Sequence, residues 1–457
     1  MADPTPTSIR IISLNCWGLK FISKHRNARL SHIGTLLASA TPAPEIVGLQ
    51  ECWTQEDYLA IRQATSHILP YGKFYFSGIF GGGLAILSRW PIVESTMLRY
   101  PLNGRPAAFY RGDWYVGKGV ASARIRFGEG KKDIVEVFCT HLHAPYEAEP
   151  NDSYICHRTA QAWEIAKMMR HAAERGHLVV GLGDFNMIPS SMAHRLIESQ
   201  APVRDVWRVV HPDSAVGSSH SFAEKARGRK VPSAEEAVRE HGATCDSRFN
   251  TWRWSKALQK QLEKGVDTHV DGEEPDPNSQ RLDYVFFGGD REGQAGDWEV
   301  KDVNVGMMER HPTLKCSLSD HFSVEATVAR GVGLREAGLE NGSLEKARDG
   351  VKLPLETYDE ILTMIKSYEM REKKQRKQRL AHFGAELVVA IGCLTAVWFS
   401  PRNFVSFLLM LLSTLGLSAG VIDGLMGGLF VGSELRALKE FEWEVSNARR
   451  LAEEEGR

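Results

Sequence analysis

LVVGLGDFN, residues 178–186, is an apolar run of strand length that ends in Asp184, with Asn186 two residues further on. A strand that delivers a carboxylate and an amide at its end is a common way to build a hydrolytic site. The pattern recurs along the first two-thirds of the chain. Runs at 9–14, 46–50, 84–87, 119–125, 134–140, 178–183, 284–287 and 322–328 read as strands. Asn15, Glu51, His141 and Asp184 close four of them, while Asp283 and the pair Asp320-His321 immediately precede two others. If those last two strands run antiparallel to the rest, all six contributions gather at one edge. A lone Asp or Asn beside a strand is usually a turn residue; six in one chain call for a common cause.

The residue types suit divalent-metal hydrolysis. Carboxylate and amide oxygens without paired cysteines favour Mg²⁺, with Mn²⁺ as a substitute, over softer-site metals. A neighbouring histidine can serve as general base near neutral pH. The seven cysteines are scattered, odd in number and form no CxxC pair, which points to reduced thiols and not to a disulfide framework or zinc site. With 56 basic and 57 acidic residues the net charge is -1, which weighs against a nucleic-acid partner. The segment MADPTPTSIR lacks the apolar core of a signal peptide, so none is expected.

The composition changes near residue 330. Helical periodicity is expected over 55–68 and 157–172, and the hydrophilic stretches 223–241 and 262–280 read as surface insertions. Residues 331–380 form a charged linker with an amphipathic helix from 355 to about 366, followed by the basic run Arg371, Lys373, Lys374, Arg376, Lys377 and Arg379. Two apolar spans come next, 387–399 (recruiting 381–385 to reach membrane length) and 404–422, within a hairpin placed at 381–432; a charged tail fills 433–457. The competing reading is a buried helical hairpin of a soluble domain. Gly416, Gly420, Gly424, Gly428 and Gly432 share one helix face, suited to packing the two spans together or joining two protomers as a homodimer. Asp423 is expected as an interfacial end-cap. Basic residues on both flanks place both ends, and the N-terminal domain, in the cytosol. The basic run also suits anionic lipid head groups such as phosphatidylserine or cardiolipin.

LNCWGL around Asn15, LQECW around Glu51, THLHA around His141, GDFN around Asp184, LDYVF around Asp283 and SDHFSV around His321 resemble the endonuclease/exonuclease/phosphatase superfamily. Three further features are similar to its fungal inositol phosphosphingolipid phospholipase C and animal neutral sphingomyelinase branch. They are Thr244-Cys245-Asp246 with Asn250-Thr251-Trp252, the segment RGDWYVGKG at 111–119, and the membrane hairpin. The resemblance covers roughly residues 8–330 plus the hairpin. It implies a four-layer α/β sandwich of two mixed sheets flanked by helices. It also implies a Mg²⁺-dependent phospholipase C that releases ceramide from sphingolipids.

In that scheme Glu51, helped by Asn15, holds the metal, and His321, oriented by Asp320, takes a proton from water. Asp184 and Asn186 position water or phosphate. His141, held by Asp283, stabilises the transition state or protonates the leaving oxygen. Asp113 and Lys118 become substrate-side residues. The GxxxxGK spacing at 112–118 fails as a nucleotide loop, because Gly119 stands where Ser or Thr must hold Mg²⁺ and a strand follows. His143 is the less favoured of the two nearby histidines, and His157 and Arg158 are expected to be structural. The rivals are a nuclease or inositol polyphosphate phosphatase sharing the metal site, and a membrane-anchored scaffold with a dead site. Endoplasmic reticulum and mitochondrial outer membranes both fit the topology.

Overall fold

The structure is a computed structural model that describes residues 6–130, 133–147, 151–266, 268–289, 298–331 and 353–456. Part of the 331–380 linker, residues 332–352, lies outside the described residues, as do residue 267 and the first five. The chain divides into two units: Met1–Tyr100 with Tyr115–Leu353, and Pro101–Trp114 with Pro354–Arg457.

The first unit is two six-stranded mixed sheets flanked by helices. One sheet orders its strands β11 (Trp298–Gly306), β12 (Ser323–Arg330), β1 (Ser8–Asn15), β2 (Ile46–Gln50), β4 (Leu84–Ser88) and β3 (Tyr71–Tyr75). The other runs β5 (Ile92–Arg99), β6 (Gly119–Arg126), β7 (Ile134–His141), β8 (Leu178–Asp184), β10 (Asp283–Gly289) and β9 (Val203–Asp205). β1 is parallel to β2, and β7 to β8, whereas β12 and β10 run antiparallel to β1 and β8. The carboxyl ends of four strands therefore share an edge with the amino ends of two, as the sequence pattern requires.

β2, β7 and β8 are buried along their whole length, which is why they read as unbroken apolar runs. Ile9, Ile11, Ile46 and Ile86 of one sheet form a single core with Val135, Val137, Val180 and Leu182 of the other. Gly48 makes this approach possible: a Cβ there would lie 2.0 Å from Leu182 Cδ1. A second core joins β7, β8 and β10 to the helix Ile155–Glu174, and a third joins β1, β2 and β4 to the helices Arg26–Ser39 and Gln55–Thr65. The layers are thus helix, sheet, sheet, helix. The insertion 223–241 carries two short helices, Phe222–Ala226 and Ala234–Arg239, each N-capped by a serine.

The second unit departs from the expected outline. No separate amphipathic helix precedes the first span. One helix, Leu355–Val397, runs through both, and Asn403–Leu425 returns through a π-turn at Met426–Phe430 into Val431–Glu455. Both helices are long and apolar enough to cross a membrane, and their most apolar windows are only 11% buried. That exposure is not what the core hairpin of a soluble domain would show.

Gly416 and Gly420 lie against Glu386, and Gly424 against the Phe383 ring, so these three glycines serve packing between the two spans. Gly428 and Gly432 meet nothing within 4 Å. Asp423 is not an end-cap. It pairs with Arg379 and lies 2.8 Å from His382 Nδ1 while the helix continues past it. The segment 101–114 packs with these helices: Arg105 Nε is 3.5 Å from buried Glu372, Arg379 donates to the Ala107 carbonyl, and Trp114 meets Phe430 at 4.7 Å between ring centroids.

Candidate active site

Strand register builds the site. Asp184 is the Cα partner of His141 on one side and of Asp283 on the other, so β7, β8 and β10 bring three functional side chains into one row. Asn15 ends β1, Glu51 follows β2, and His321 precedes β12. Glu51 and Asn186 hold left-handed backbone (φ 52° and 45°), an uncommon conformation for residues with side chains and one that clusters at functional sites.

Asp184 Oδ2 is the hub. It accepts a hydrogen bond from Asn15 Nδ2 at 3.0 Å and lies 3.5 Å from His141 Nε2 and 3.9 Å from His321 Nε2. Burial pushes the Asp184 carboxyl up, to about 7, opposed by His321 and reinforced by Asp283. The structure corrects two pairings. His321 is oriented by Asp283, not Asp320: Nδ1 is 2.8 Å from Asp283 Oδ2, which also accepts from Thr244 Oγ1 at 2.6 Å. The carboxylate beside His141 is Asp184, because Asp283 is already committed to His321 on the neighbouring strand. Burial acts to lower the His321 pKa, yet Cys245, Asp283 and Asp184 together raise it well above the ordinary histidine value. His141 moves the other way, driven down by burial and by the nearby charge of Lys118.

Lys118 is buried and donates from Nζ to the Leu142 carbonyl at 3.0 Å, and its charge opposes the rise that burial causes in the Glu51 pKa. It therefore stands among the site residues. Asp113 is buried but belongs to the 101–114 segment of the second unit. Asn186 donates to the Leu142 carbonyl at 3.1 Å, and its backbone N–H binds Asp184 Oδ1. His143 packs against Tyr154 and His157, and Arg158 donates to the His143 carbonyl; these residues support the loop after His141.

Asn15 is set differently from a helper ligand. Its amide N–H₂ reaches Glu51 Oε1 (3.2 Å) as well as Asp184, and its carbonyl accepts from the Trp17 backbone N–H. It positions carboxylates. Asp184, Asp283 and His321 each offer a donor atom within 4.8 Å of the others, so this buried group could hold a metal ion. Asn15 and Thr244 donate to Asp184 Oδ2 and Asp283 Oδ2, whereas Asp283 Oδ1 is buried with no hydrogen-bond partner among the described residues. Glu51 accepts from Asn15 Nδ2 at 3.2 Å and Trp53 Nε1 at 3.4 Å, and its carboxyl is raised first by burial and then by the repulsion of Asp320. A carboxylate whose ionisation is opposed by a neighbouring carboxylate is what a divalent cation relieves.

The basic run is only partly open. Lys373 pairs with Glu369, Arg371 with Glu372, and Arg379 with Asp423, while Lys374, Arg376 and Lys377 are exposed.

The supporting shell was largely invisible in the sequence. Asn250 Nδ2 donates to the Ser319 carbonyl, and Thr251 and Ser317 exchange backbone-to-hydroxyl hydrogen bonds of 3.0 and 2.8 Å. Trp252 donates to the Ser317 carbonyl. The motif Asn250-Thr251-Trp252 thus holds the turn that presents His321. Arg29, fully buried, ties that turn to β1 by donating to the carbonyls of Leu318, Cys16 and Trp17. Thr244 and Ser319 lie within the quoted motifs, but their contacts did not show there, and Arg29 had no local signal, since each acts on residues distant in the chain.

The Endonuclease/Exonuclease/phosphatase family matches residues 12–321. The chain is 36% identical to the inositol phosphosphingolipids phospholipase C of Schizosaccharomyces pombe, over 98% of this chain and 95% of that one. It is 31% identical to the Saccharomyces cerevisiae protein of the same name, over 96% and 90%. It is also 35% identical to human sphingomyelin phosphodiesterase 2, over 44% and 46%. Among solved structures, the Staphylococcus aureus beta toxin aligns with a TM-score of 0.45 at 17% identity, over 70% of this chain and 99% of that one. The chain belongs to the endonuclease/exonuclease/phosphatase family, within its inositol phosphosphingolipid phospholipase C group.

Proposed function

We propose that this chain is a magnesium-dependent phospholipase C that cleaves the phosphodiester of inositol phosphosphingolipids or sphingomyelin. The products are ceramide and a phosphorylated head group. The observation that carries the chemistry is Asp184 Oδ2, set between the Nε2 atoms of two histidines, one of them backed by Asp283. The names of the relatives supply the substrate class.

Glu51 and Asp320 would hold the metal, positioned by Asn15, with manganese able to substitute. When bound, the ion supplies Lewis-acid charge to the phosphate. His321 takes the proton of the attacking water at Nε2 while Asp283 fixes its tautomer through Nδ1. Asp184, ordered by Asn15 and Asn186, aligns that water. His141, kept neutral by burial and Lys118, offers a hydrogen bond to the phosphate, and the leaving ceramide oxygen takes its proton from solvent water. Lys118 adds positive charge beside it.

The two apolar helices anchor the chain in the membrane, with the catalytic unit in the cytosol, in the endoplasmic reticulum or mitochondrial outer membrane. Lys374, Arg376 and Lys377 are the residues left to engage phosphatidylserine or cardiolipin and to raise activity. A homodimer formed on the glycine face would have only Gly428 and Gly432 to use.

The test is an assay of the purified full chain on inositol phosphoceramide, sphingomyelin and supercoiled plasmid, with and without a chelator. Magnesium-dependent ceramide release without plasmid nicking is expected. Nicking would make it a nuclease, and no turnover with no magnesium heat by calorimetry would make it a scaffold.

A further inference from the structure

Two loops that flank Glu51 carry large apolar side chains pointing into solvent. In the first, Phe21 is 93% and Ile22 68% exposed; in the second, Ile79 is 73% and Phe80 62% exposed. Scattered apolar residues on a surface need no explanation, but clusters beside a site do. The roots of both loops meet at the same short segment. Gly18 N–H donates to the Glu51 carbonyl at 3.0 Å, and Cys52 N–H donates to the Gly83 carbonyl at 3.0 Å. A Cβ on Gly83 would lie 3.3 Å from Glu51 Cα.

The second loop is braced from behind. Ile79 N–H donates to the Tyr115 carbonyl, and Gly78, at φ 38°, packs so closely on Gly117 that a Cβ on Gly117 would fall 2.6 Å from Gly78 Cα and one on Gly78 2.7 Å from Gly117 N. The apolar tips are therefore held out by rigid backbone.

The flanking charges are basic. Lys20, Lys24 and His25 are exposed around Phe21 and Ile22, with Lys20 Nζ 5.8 Å from the Phe21 ring centroid and Lys24 sharing Glu263. Aromatic and aliphatic tips, the first pair flanked by Lys20 and Lys24, match a phospholipid surface, where apolar groups enter the acyl boundary and ammonium groups stay among anionic heads. A protein partner would not call for that layering.

We infer that the loops 18–25 and 76–83 form a second, interfacial membrane contact, separate from the apolar helices, that seats the Glu51 side of the site on the leaflet. This rests on the reading that the chain acts on a membrane lipid. It means that substrate is taken from the bilayer with its phosphodiester at head-group depth, without being lifted into water.

The experiment uses full-length protein in phosphatidylcholine vesicles with and without phosphatidylserine. Phe21→Cys and Phe80→Cys are each labelled with an environment-sensitive fluorophore. Glu129→Cys, in the turn at the opposite end of the sheets, serves as control, and unsubstituted protein reports on its seven buried cysteines. The Phe21 and Phe80 probes should shift to the blue and be quenched by shallow spin-labelled lipid, more so with phosphatidylserine, while the Glu129 probe stays in water. Probes that all behave like Glu129 would overturn the inference. So would a shift that follows protein concentration and resists lipid quenching, which would mean a second copy covers the loops.

The fourfold variant F21S/I22S/I79S/F80S should lose roughly tenfold or more in hydrolysis of vesicle lipid, given four apolar anchors removed, and keep its rate on a water-soluble phosphodiester. Equal loss on both substrates would also refute it. The probe readout needs no turnover, so a chain that docks but releases no ceramide would refute the function proposed above and leave this contact standing.

Discussion

His321 Nδ1 and Asp283 Oδ2 lie 2.8 Å apart, joining the start of β12 in one sheet to the start of β10 in the other. The pair bridges the two layers of the sandwich, so the general base is aligned by the packing of the sheets. Thr244 locks the same carboxylate oxygen from a third segment. Asp283→Asn keeps the shape but lets the imidazole take the wrong tautomer. Its kcat should fall by about 10²–10⁴-fold with the fold intact. Steady-state kinetics beside a thermal melt checks this; a loss confined to KM would contradict the role given to Asp283.

Glu51 and Asp320 should separate from that dyad in their response to metal. Asp320 raises the cost of ionising Glu51. Asp320→Asn should raise the magnesium concentration at half-maximal activity while leaving the rate at saturating magnesium far less affected than Asp283→Asn does. A magnesium titration of activity, with calorimetry on the same samples, tells the two apart. Equal damage by both substitutions at saturating metal would return Asp320 to the proton-transfer pathway.

What was legible in the sequence follows from burial. β2, β7 and β8 are buried on both faces, so their apolar runs were unambiguous and their polar ends stood out. β5, with most of its residues exposed or half-exposed, and the edge strand β11 offered no such run and were missed. The helix Arg26–Ser39 was missed because it starts without a side-chain cap, after His25 in left-handed backbone. The six strand-end residues were readable because each is fixed by its own strand. The pairings were not: whether Asp283 or Asp320 meets His321 depends on how two sheets face each other, and no local pattern carries that.

The sheet interface makes its own prediction. Gly48→Ala would set a methyl 2.0 Å from Leu182 Cδ1, in a core where both sheets are close-packed. Leu182 must then leave its position, two residues before Asp184. We expect a loss of about 1–3 kcal/mol, read as a lower denaturation midpoint with an unchanged slope. Unaltered stability would mean that the sheets part more readily than the contact implies.

In the second unit, Gly420 lies against the first span, with Glu386 Cβ 2.7 Å from where its Cβ would be. Gly420→Leu should force the helices apart. Gly428→Leu, on the same face but against nothing within 4 Å, should not. A disulfide formed between paired cysteines on the two helices measures their separation. The expected result is slower crosslinking for the Gly420 variant alone; slowing by both would mean the lower glycines are also in use.

Asp205 sets the acid limit of the catalytic unit. It is fully buried, and burial alone would raise its pKa, yet Arg281, bound through both carboxylate oxygens at 2.8 and 2.9 Å, and His194 at 3.1 Å hold it well below the usual range. A depressed carboxylate contributes stability that is complete above the unfolded aspartate value of about 3.9 and is lost as pH falls below it. Asp205→Asn leaves the Arg281 charge buried without its partner, at a cost of about 3–5 kcal/mol near neutral pH. Because the wild-type advantage disappears in acid, the gap between the two proteins should narrow steadily below about pH 4. Urea midpoints taken from pH 7 to pH 3 test the sign as well as the size. A gap that stays constant over that range would mean Asp205 contributes by shape and not by charge.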